Sequence, residues 1–265
     1  TLFTGFLIGM GSGVNVQTAL GLGAGDEKAV DRTIHTSFLL CAFIGLLAGG
    51  ICFFFADGML TLMNTKEELI DGAILYLRIY AFGMPAMGIY NFGNGVMSAS
   101  GDTKHPLLYL AIAGVINVIL NLFFVIRCHM AAEGVALASA ISQYLSAILI
   151  LIHLMYRNET CKFRFARLRL SMDAAQNVLF IGIPAGIQNA IFAIANIFVQ
   201  VGVNTFDAVT VSGNAAATNA DSLIFNVMYA FYTGCTSFMG QNRGAGQRKR
   251  VLKSYYISLF YSSVA

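Results

Sequence analysis

The chain contains no tryptophan, three prolines and few charges, with Asp, Glu, Lys and Arg making up 11% of 265 residues. A soluble domain carries roughly twice that charged fraction. The scarcity of charge, with 57% hydrophobic residues and a mean hydropathy of +0.70, excludes an ordinary water-soluble fold. Residues alternating in polarity over about ten positions do not recur along the chain, which argues against a membrane β-barrel. The five cysteines (Cys41, Cys52, Cys128, Cys161 and Cys235) have no paired spacing. They form neither a disulfide framework nor a zinc site. There is no His-Glu-x-x-His and no nucleophile–base arrangement, so no enzyme and no metal or organic cofactor is expected. The glycine-rich stretch Gly21–Gly25 follows an apolar helix and lacks a Walker Lys-Ser/Thr, which removes a nucleotide site. With no Trp, the interfacial aromatic role falls to tyrosines such as Tyr76, Tyr80, Tyr109, Tyr144 and Tyr156, near predicted span ends.

Apolar runs of about 20 residues are present, long enough to cross a hydrocarbon core as helices. They predict an all-α integral membrane protein with eight spans, six of them complete. The first is a residual span over 1–20. It is followed by 30–55, 69–98, 107–127, 134–156, 173–201 and 211–239, and by a last one starting near 250. Pro85 and Pro184 fall inside spans, where they mark either a passive kink or a working hinge. Intervening segments alternate in charge. One set carries Lys28, Arg32, Lys104, Arg157, Lys162, Arg164, Arg167, Arg169, Arg243, Arg248, Lys249, Arg250 and Lys253; the other carries Lys66 and Arg127. The basic set is cytoplasmic by the positive-inside rule, in a multi-pass protein of the cell membrane.

An internal repeat organises these spans. Gly23-Ala24-Gly25, Val30, Arg32 and Ser37 recur as Gly244-Ala245-Gly246, Val251, Lys253 and Ser258, all offset by 221 residues, and Gly13 pairs with Gly234 upstream. Duplicated membrane bundles are mostly transporters. Residues 1–156 are expected to form an N-terminal bundle, 157–172 a basic cytoplasmic linker, and 173–265 the start of a C-terminal bundle. The offset places Thr1 opposite Ser222, well inside the later helix. The expectation is therefore a piece of a longer chain, with about 50 residues missing in front and four or more spans behind.

Asp221 is the one acidic residue well inside a complete predicted span. A carboxylate at that depth is costly unless it faces a cavity, takes a proton or pairs with a cation. Asn214, Thr218, Asp221, Phe225 and Met228 share one helical face, polar in its outer half and aromatic and soft in its inner half. On the preceding span, Asn189, Asn196 and Gln200 share a face beside Phe192. Their amides bind a ligand, coordinate an ion or join helices. Asn91, Asn94, Asn117 and Asn121 read as structural, Arg78 as snorkelling to the interface, and His35 and His153 lie near cytoplasmic ends.

Several ordered segments resemble the multidrug and toxic compound extrusion (MATE) family. Gly101-Asp102-Thr103-Lys104-His105-Pro106 is similar to that family's Gly-Asp-Thr-Lys-x-Pro loop. It is followed by Asn117 and Asn121 at the family's Asn-x-x-x-Asn spacing. Gly134-Val135-Ala136 matches its sixth-helix opening in part. Gly182-Ile183-Pro184 resembles the start of its seventh helix, and Gln241-Asn242-Arg243-Gly244-Ala245 its motif after the eighth. The resemblance implies a two-bundle transporter of twelve helices, acting as a monomer in the lipid bilayer. It also implies export of drug-like, often cationic compounds in exchange for H⁺ or Na⁺, with no cofactor and no nucleic-acid partner. Sodium-coupled relatives tend to carry a Glu on the helix before Asp221, and none lies between Gln176 and Asp207. The alternative is a lipid-linked oligosaccharide flippase of similar fold, which would need cations inside its cavity.

Overall fold

A computed structural model describes residues 2–62, 67–157, 160–203 and 206–264. Thr1, Lys66 and Ala265 lie outside the described residues. Ten α-helices follow one another: α1 (Leu2–Ala24), α2 (Glu27–Phe54), α3 (Ala56–Leu62), α4 (Glu67–Ala81), α5 (Met84–Ala99), α6 (Lys104–Leu122), α7 (Ala132–Tyr156), α8 (Met172–Val203), α9 (Ala208–Gly244) and α10 (Arg248–Val264). Helices are the local solution for a chain in lipid, because each backbone N–H and C=O is satisfied within its own segment.

The turns show why the sequence breaks where it does. Between α1 and α2, Gly25 adopts φ +68°, and Asp26 accepts a hydrogen bond from the Ala29 amide at 2.9 Å to cap α2. The same turn recurs between α9 and α10, with Gly246 at φ +70°. These two left-handed positions belong to the pairs offset by 221 residues, so the repeat is structural as well as textual.

The predicted span 69–98 is two helices, α4 and α5, bent by 45°. Pro85 has no N–H to offer the Ala81 carbonyl, and the ladder tightens just before it: Phe82 N donates to Ile79 O at 3.2 Å and Gly83 N to Tyr80 O at 2.9 Å. Pro184, by contrast, lies within an uninterrupted α8. Helix α6 ends in a wide turn over Phe123–Arg127, closed by Cys128 N to Phe123 O at 3.2 Å.

Among the described residues, four helical segments are long and apolar enough to cross a membrane (α2, α6 with its wide turn, α7 and α8), or five counting the bent α4–α5 pair. Sequence reading counts eight. Helices α1 and α9 are long enough but carry Gly, Ser, Thr and Asn at many positions, and α10 has 17 residues. The apolar helices meet lipid: α6 exposes Leu107, Val115, Val118, Ile119 and Leu122. Helix α1 instead sits at the centre and packs on α2, α5, α8 and α9.

Its contacts are backbone against backbone. A Cβ on Gly9 would overlap the Gly186 backbone, and one on Gly13 would stand 2.6 Å from the Val178 carbonyl oxygen. Lipid tails are as apolar as the helices, so association rests on close packing of small residues rather than on a hydrophobic driving force. Beside this seam, Met10, Val14, Ile34, Phe92, Val96, Ile150 and Phe163 form the buried apolar core.

Phe163 belongs to the linker, which is docked rather than loose. Its amide donates to Leu154 O at 3.0 Å, and the next amide, Arg164 N, donates to His35 Nε2 at 3.1 Å. His35 is fully buried and stacks on Phe163 at 5.5 Å. Because Nε2 accepts, Nδ1 carries the proton and donates it to the Asp31 carbonyl at 2.7 Å. Thr36 Oγ1 donates to Arg169 O at 3.2 Å and accepts from Ser171 N at 3.1 Å, and Arg167 and Arg169 pair with Asp31.

Gly13→Val should cost about 3 kcal/mol through overpacking at the α1–α8 seam. Gly114→Ala, on α6 with nothing within 4 Å of the new Cβ, should gain roughly 0.5–1 kcal/mol from helix propensity. Thermal unfolding in detergent, followed by a thiol-reactive dye that reads exposure of Cys41, Cys52 and Cys161 (all buried), separates the two.

Candidate functional site

The related helices α1 and α9 meet at the end that carries the basic loops. A Cβ on Gly23 would overlap the Gln241 carbonyl, and one on Gly244 would overlap the Leu20 carbonyl. Leu20 and Gln241 are themselves separated by the repeat offset, so these are the same contact made twice about a local two-fold. Ala19 faces Gly240, its counterpart in the repeat, in the same seam. Gln241 also donates through Nε2 to Ala99 O, which ties α9 to the end of α5. Asn242 donates back to Phe238 O at 2.8 Å within its own helix.

Further along the seam is a polar layer. Asn15 and Ser237 are buried and bonded at 3.0 Å: Asn15 Nδ2 donates to the Ser237 oxygen, and that hydroxyl can return its proton to Asn15 Oδ1 or to Thr233 O. Around them Ser12, Asn91, Asn94, Ser98, Tyr229 and Thr233 line a cavity of about 60 Å³. Several members are already bonded: Asn91 Nδ2 donates to Met87 O at 2.9 Å, Ser98 donates to Asn94 Oδ1 at 3.3 Å, and Thr233 Oγ1 donates to Tyr229 O at 2.9 Å. Sequence reading missed Asn15, Ser237 and Tyr229 as a group. The available signal was the repeat itself, which sets Asn15 opposite Thr236, another residue lining this cavity.

Beyond the polar layer α9 leaves α1. Thr218, Asp221, Phe225 and Met228 are exposed and Asn214 is half-buried. On α8, Asn196 and Gln200 are exposed, whereas Asn189 donates through Nδ2 to the Gly5 carbonyl at 3.0 Å and so ties α8 to α1. Helices α8 and α9 barely touch, so the two predicted polar faces are not brought into mutual contact among the described residues.

The motif residues of α5, α6 and the turn between them have local roles. Asn117 and Asn121 form a relay: Asn121 Nδ2 donates to Asn117 Oδ1 at 3.0 Å, and Asn117 Nδ2 reaches Ser139 on α7 at 3.5 Å. Gly101 takes φ +87° to turn α5 into α6, and the Pro106 carbonyl accepts from Tyr90 at 3.0 Å. Partial burial alone would raise Asp102, but hydrogen bonds and charge from His105, with Arg157 beyond, hold its carboxyl below the ordinary value. Arg78 is exposed and lies 5.8 Å over the Phe53 ring.

The family model described as MatE matches residues 1–123 and 184–265. The chain belongs to the MatE family. It is 29% identical over 246 residues to the probable multidrug resistance protein YpnP of Bacillus subtilis, covering 93% of this chain and 55% of that protein. It is 24% identical to a protein named FAD transporter of Shewanella oneidensis, covering 97% of this chain and 58% of that one. A solved multidrug resistance MATE family transporter in an outward-facing conformation aligns at a TM-score of 0.83 with 19% identity, over 98% of this chain and 58% of its own. An inward-facing one aligns at 0.74. The chain thus spans a little over half the length of these relatives. Its all-α fold is the MATE two-bundle fold, in a multi-pass membrane protein.

Asn15→Ala and Ser237→Ala should each destabilise the MatE seam, and the double variant should lose less than their sum. A coupling on the order of 0.6 kcal/mol, typical of interhelical pairs in membranes, is expected from a double-mutant cycle of detergent unfolding temperatures.

Proposed function

We propose that this chain is part of a secondary active exporter that moves organic, often cationic compounds out of the cell in exchange for H⁺ or Na⁺. The observation that carries the reading is the asymmetry of the α1–α9 pair. The two repeats seal against each other at the basic end, while Asp221 stands exposed on the stretch of α9 that has left α1. In this reading the first bundle is 1–156, the linker 157–172 and the second bundle begins at 173. The substrate path opens away from the cytoplasm in the present arrangement. The better alignment with the outward-facing relative supports that sense of opening.

Asp221 would exchange a coupling ion for a cationic substrate, since both compete for one carboxylate. Asn214, Thr218, Asn196 and Gln200 would supply neutral hydrogen-bonding groups. Phe225 and Met228 would give an adaptable apolar wall. Asn189 would hold α8 in place through Gly5 while its oxygen stays available. Among the described residues the acidic group of α8 is Asp173, in its first turn, which favours Asp221 as the coupling carboxylate of this region. The relatives' names support drug export and give the flippase alternative no support. The flavin-named relative makes FAD a compound to test beside cationic dyes.

The test uses the full-length parent protein in proteoliposomes, loaded with a cationic dye, with a pH gradient or a Na⁺ gradient imposed separately. One gradient should drive efflux, and Asp221→Asn should reduce it to the passive leak without lowering the unfolding temperature. Wild-type efflux in that variant would remove Asp221 from the mechanism.

A further inference from the structure

We propose that Asp102, His105 and His153 form a binding site for a divalent transition-metal ion of the Zn²⁺ class, at the cytoplasmic end of the first bundle. The site is separate from the α1–α9 seam and does not depend on the transport reading. From the sequence no metal is expected, since it has no His-Glu-x-x-His and no paired cysteines. The fold brings the three residues together. Asp102 stands in the turn after α5, His105 follows in the first turn of α6, and His153 sits in the last turn of α7.

The three side chains already touch one another, and their ligand atoms are grouped closely enough to be drawn onto one ion. His105 Nδ1 lies 2.8 Å from Asp102 Oδ2, and His153 Nε2 lies 3.7 Å from the same oxygen. The two rings are 4.6 Å apart, and one donor atom from each residue falls within 4.8 Å of the others. Ligands at about 2.0–2.1 Å from a tetrahedral zinc are separated by roughly 3.3 Å, so shifts of about an ångström would close the set. Two imidazoles and one carboxylate suit Zn²⁺ and its neighbours rather than Na⁺, Mg²⁺ or Ca²⁺, which take oxygen ligands.

The surroundings have the features such a site needs. Tyr109 Oη lies 2.7 Å from His153 Nδ1. With metal on Nε2, Nδ1–H donates to that oxygen, an outer-shell bond that fixes tautomer and ring orientation. The backbone amide of His105 donates to Asp102 Oδ1 at 3.3 Å and steadies the carboxylate. The His105 side chain is 49% exposed, which leaves an entry path and room for a water as fourth ligand. Arg157 opposes the ion: it donates to Ser100 Oγ at 3.0 Å and its charge reaches Asp102. The site is therefore weaker than the same ligands without a neighbouring cation.

Tag-free, metal-stripped full-length parent protein in detergent would be titrated with Co²⁺ and then Zn²⁺. One equivalent of Co²⁺ should give the strong visible absorption of a tetrahedral site, and Zn²⁺ should displace it. His105→Gln and His153→Gln should each abolish that spectrum, and Tyr109→Phe should weaken binding about tenfold. The metal-free unfolding temperature of each variant separates the small cost of losing the His105–Asp102 or Tyr109–His153 bond from the loss of the Co²⁺ spectrum. The absence of a tetrahedral Co²⁺ spectrum in the wild type, or its persistence in His105→Gln, overturns the site. Dye efflux plays no part in this readout, so its failure would leave the Asp221 reading untouched.

Discussion

Everything in this protein hangs on how closely α1 can approach its neighbours. Helices in lipid gain little from hiding apolar surface, so what holds them is contact area at short range. Glycine at positions 9, 13 and 23 lets α1 lie directly on the backbones of α8 and α9. A side chain at any of these would push the axes apart and remove dispersion contacts along the whole crossing. The polar bonds of the seam are secondary to this. Asn15 reaches Ser237, and Asn189 reaches the Gly5 carbonyl, because the backbones are already close.

That constraint explains the distribution of hydropathy. A helix that packs through glycines and buried amides cannot also be uniformly apolar. Helices α1 and α9 therefore fall short of the apolarity that marks α2, α6, α7 and α8 as spans. The lipid-facing side is left to helices such as α6, whose large aliphatic residues are exposed. Helices α1 and α9 lie at the local two-fold, where a solute path between repeats would have polar walls.

Much of this was legible in the sequence. Helix positions followed from apolar runs, and the repeat offset paired Gly25 with Gly246, which the fold shows to be two left-handed turns. The reciprocal pairs Gly23–Gln241 and Gly244–Leu20 follow the same offset, although only the folded chain shows them touching. What stayed hidden depends on partners distant in sequence. Both Pro85 and Pro184 were marked as kinks, but only the folded chain shows that the helix breaks at the first and runs on through the second. The docking of Phe163 on His35 joins a polar-looking linker to a buried histidine that composition marks only as a histidine near a helix end. The cluster at Asp102 needed α6 and α7 side by side. For the candidate cavity, periodicity put Asp221 on a polar stripe, but it could not distinguish Asn189, bound to α1, from Asn196 and Gln200, which are exposed.

The linker has a mechanical consequence. Its hydrogen bonds to His35, Thr36 and Leu154 fasten the start of α8 to the first bundle, and Asn189 fastens the middle of α8 to α1. Among the described residues the outer half of α9 is largely exposed. In the proposed alternating-access cycle the two seams therefore have different tasks. The α1–α9 seam must part at the cytoplasmic end, where it consists of small residues, one Asn–Ser pair and a tie from Gln241 to Ala99. The α1–α8 seam has to slide or pivot without losing its glycine contacts. Helix α8, second-bundle by sequence order, then becomes the element through which displacement of one repeat is felt by the other. Pro184, close to the Gly9–Gly186 crossing, is placed where bending of α8 would alter that coupling most.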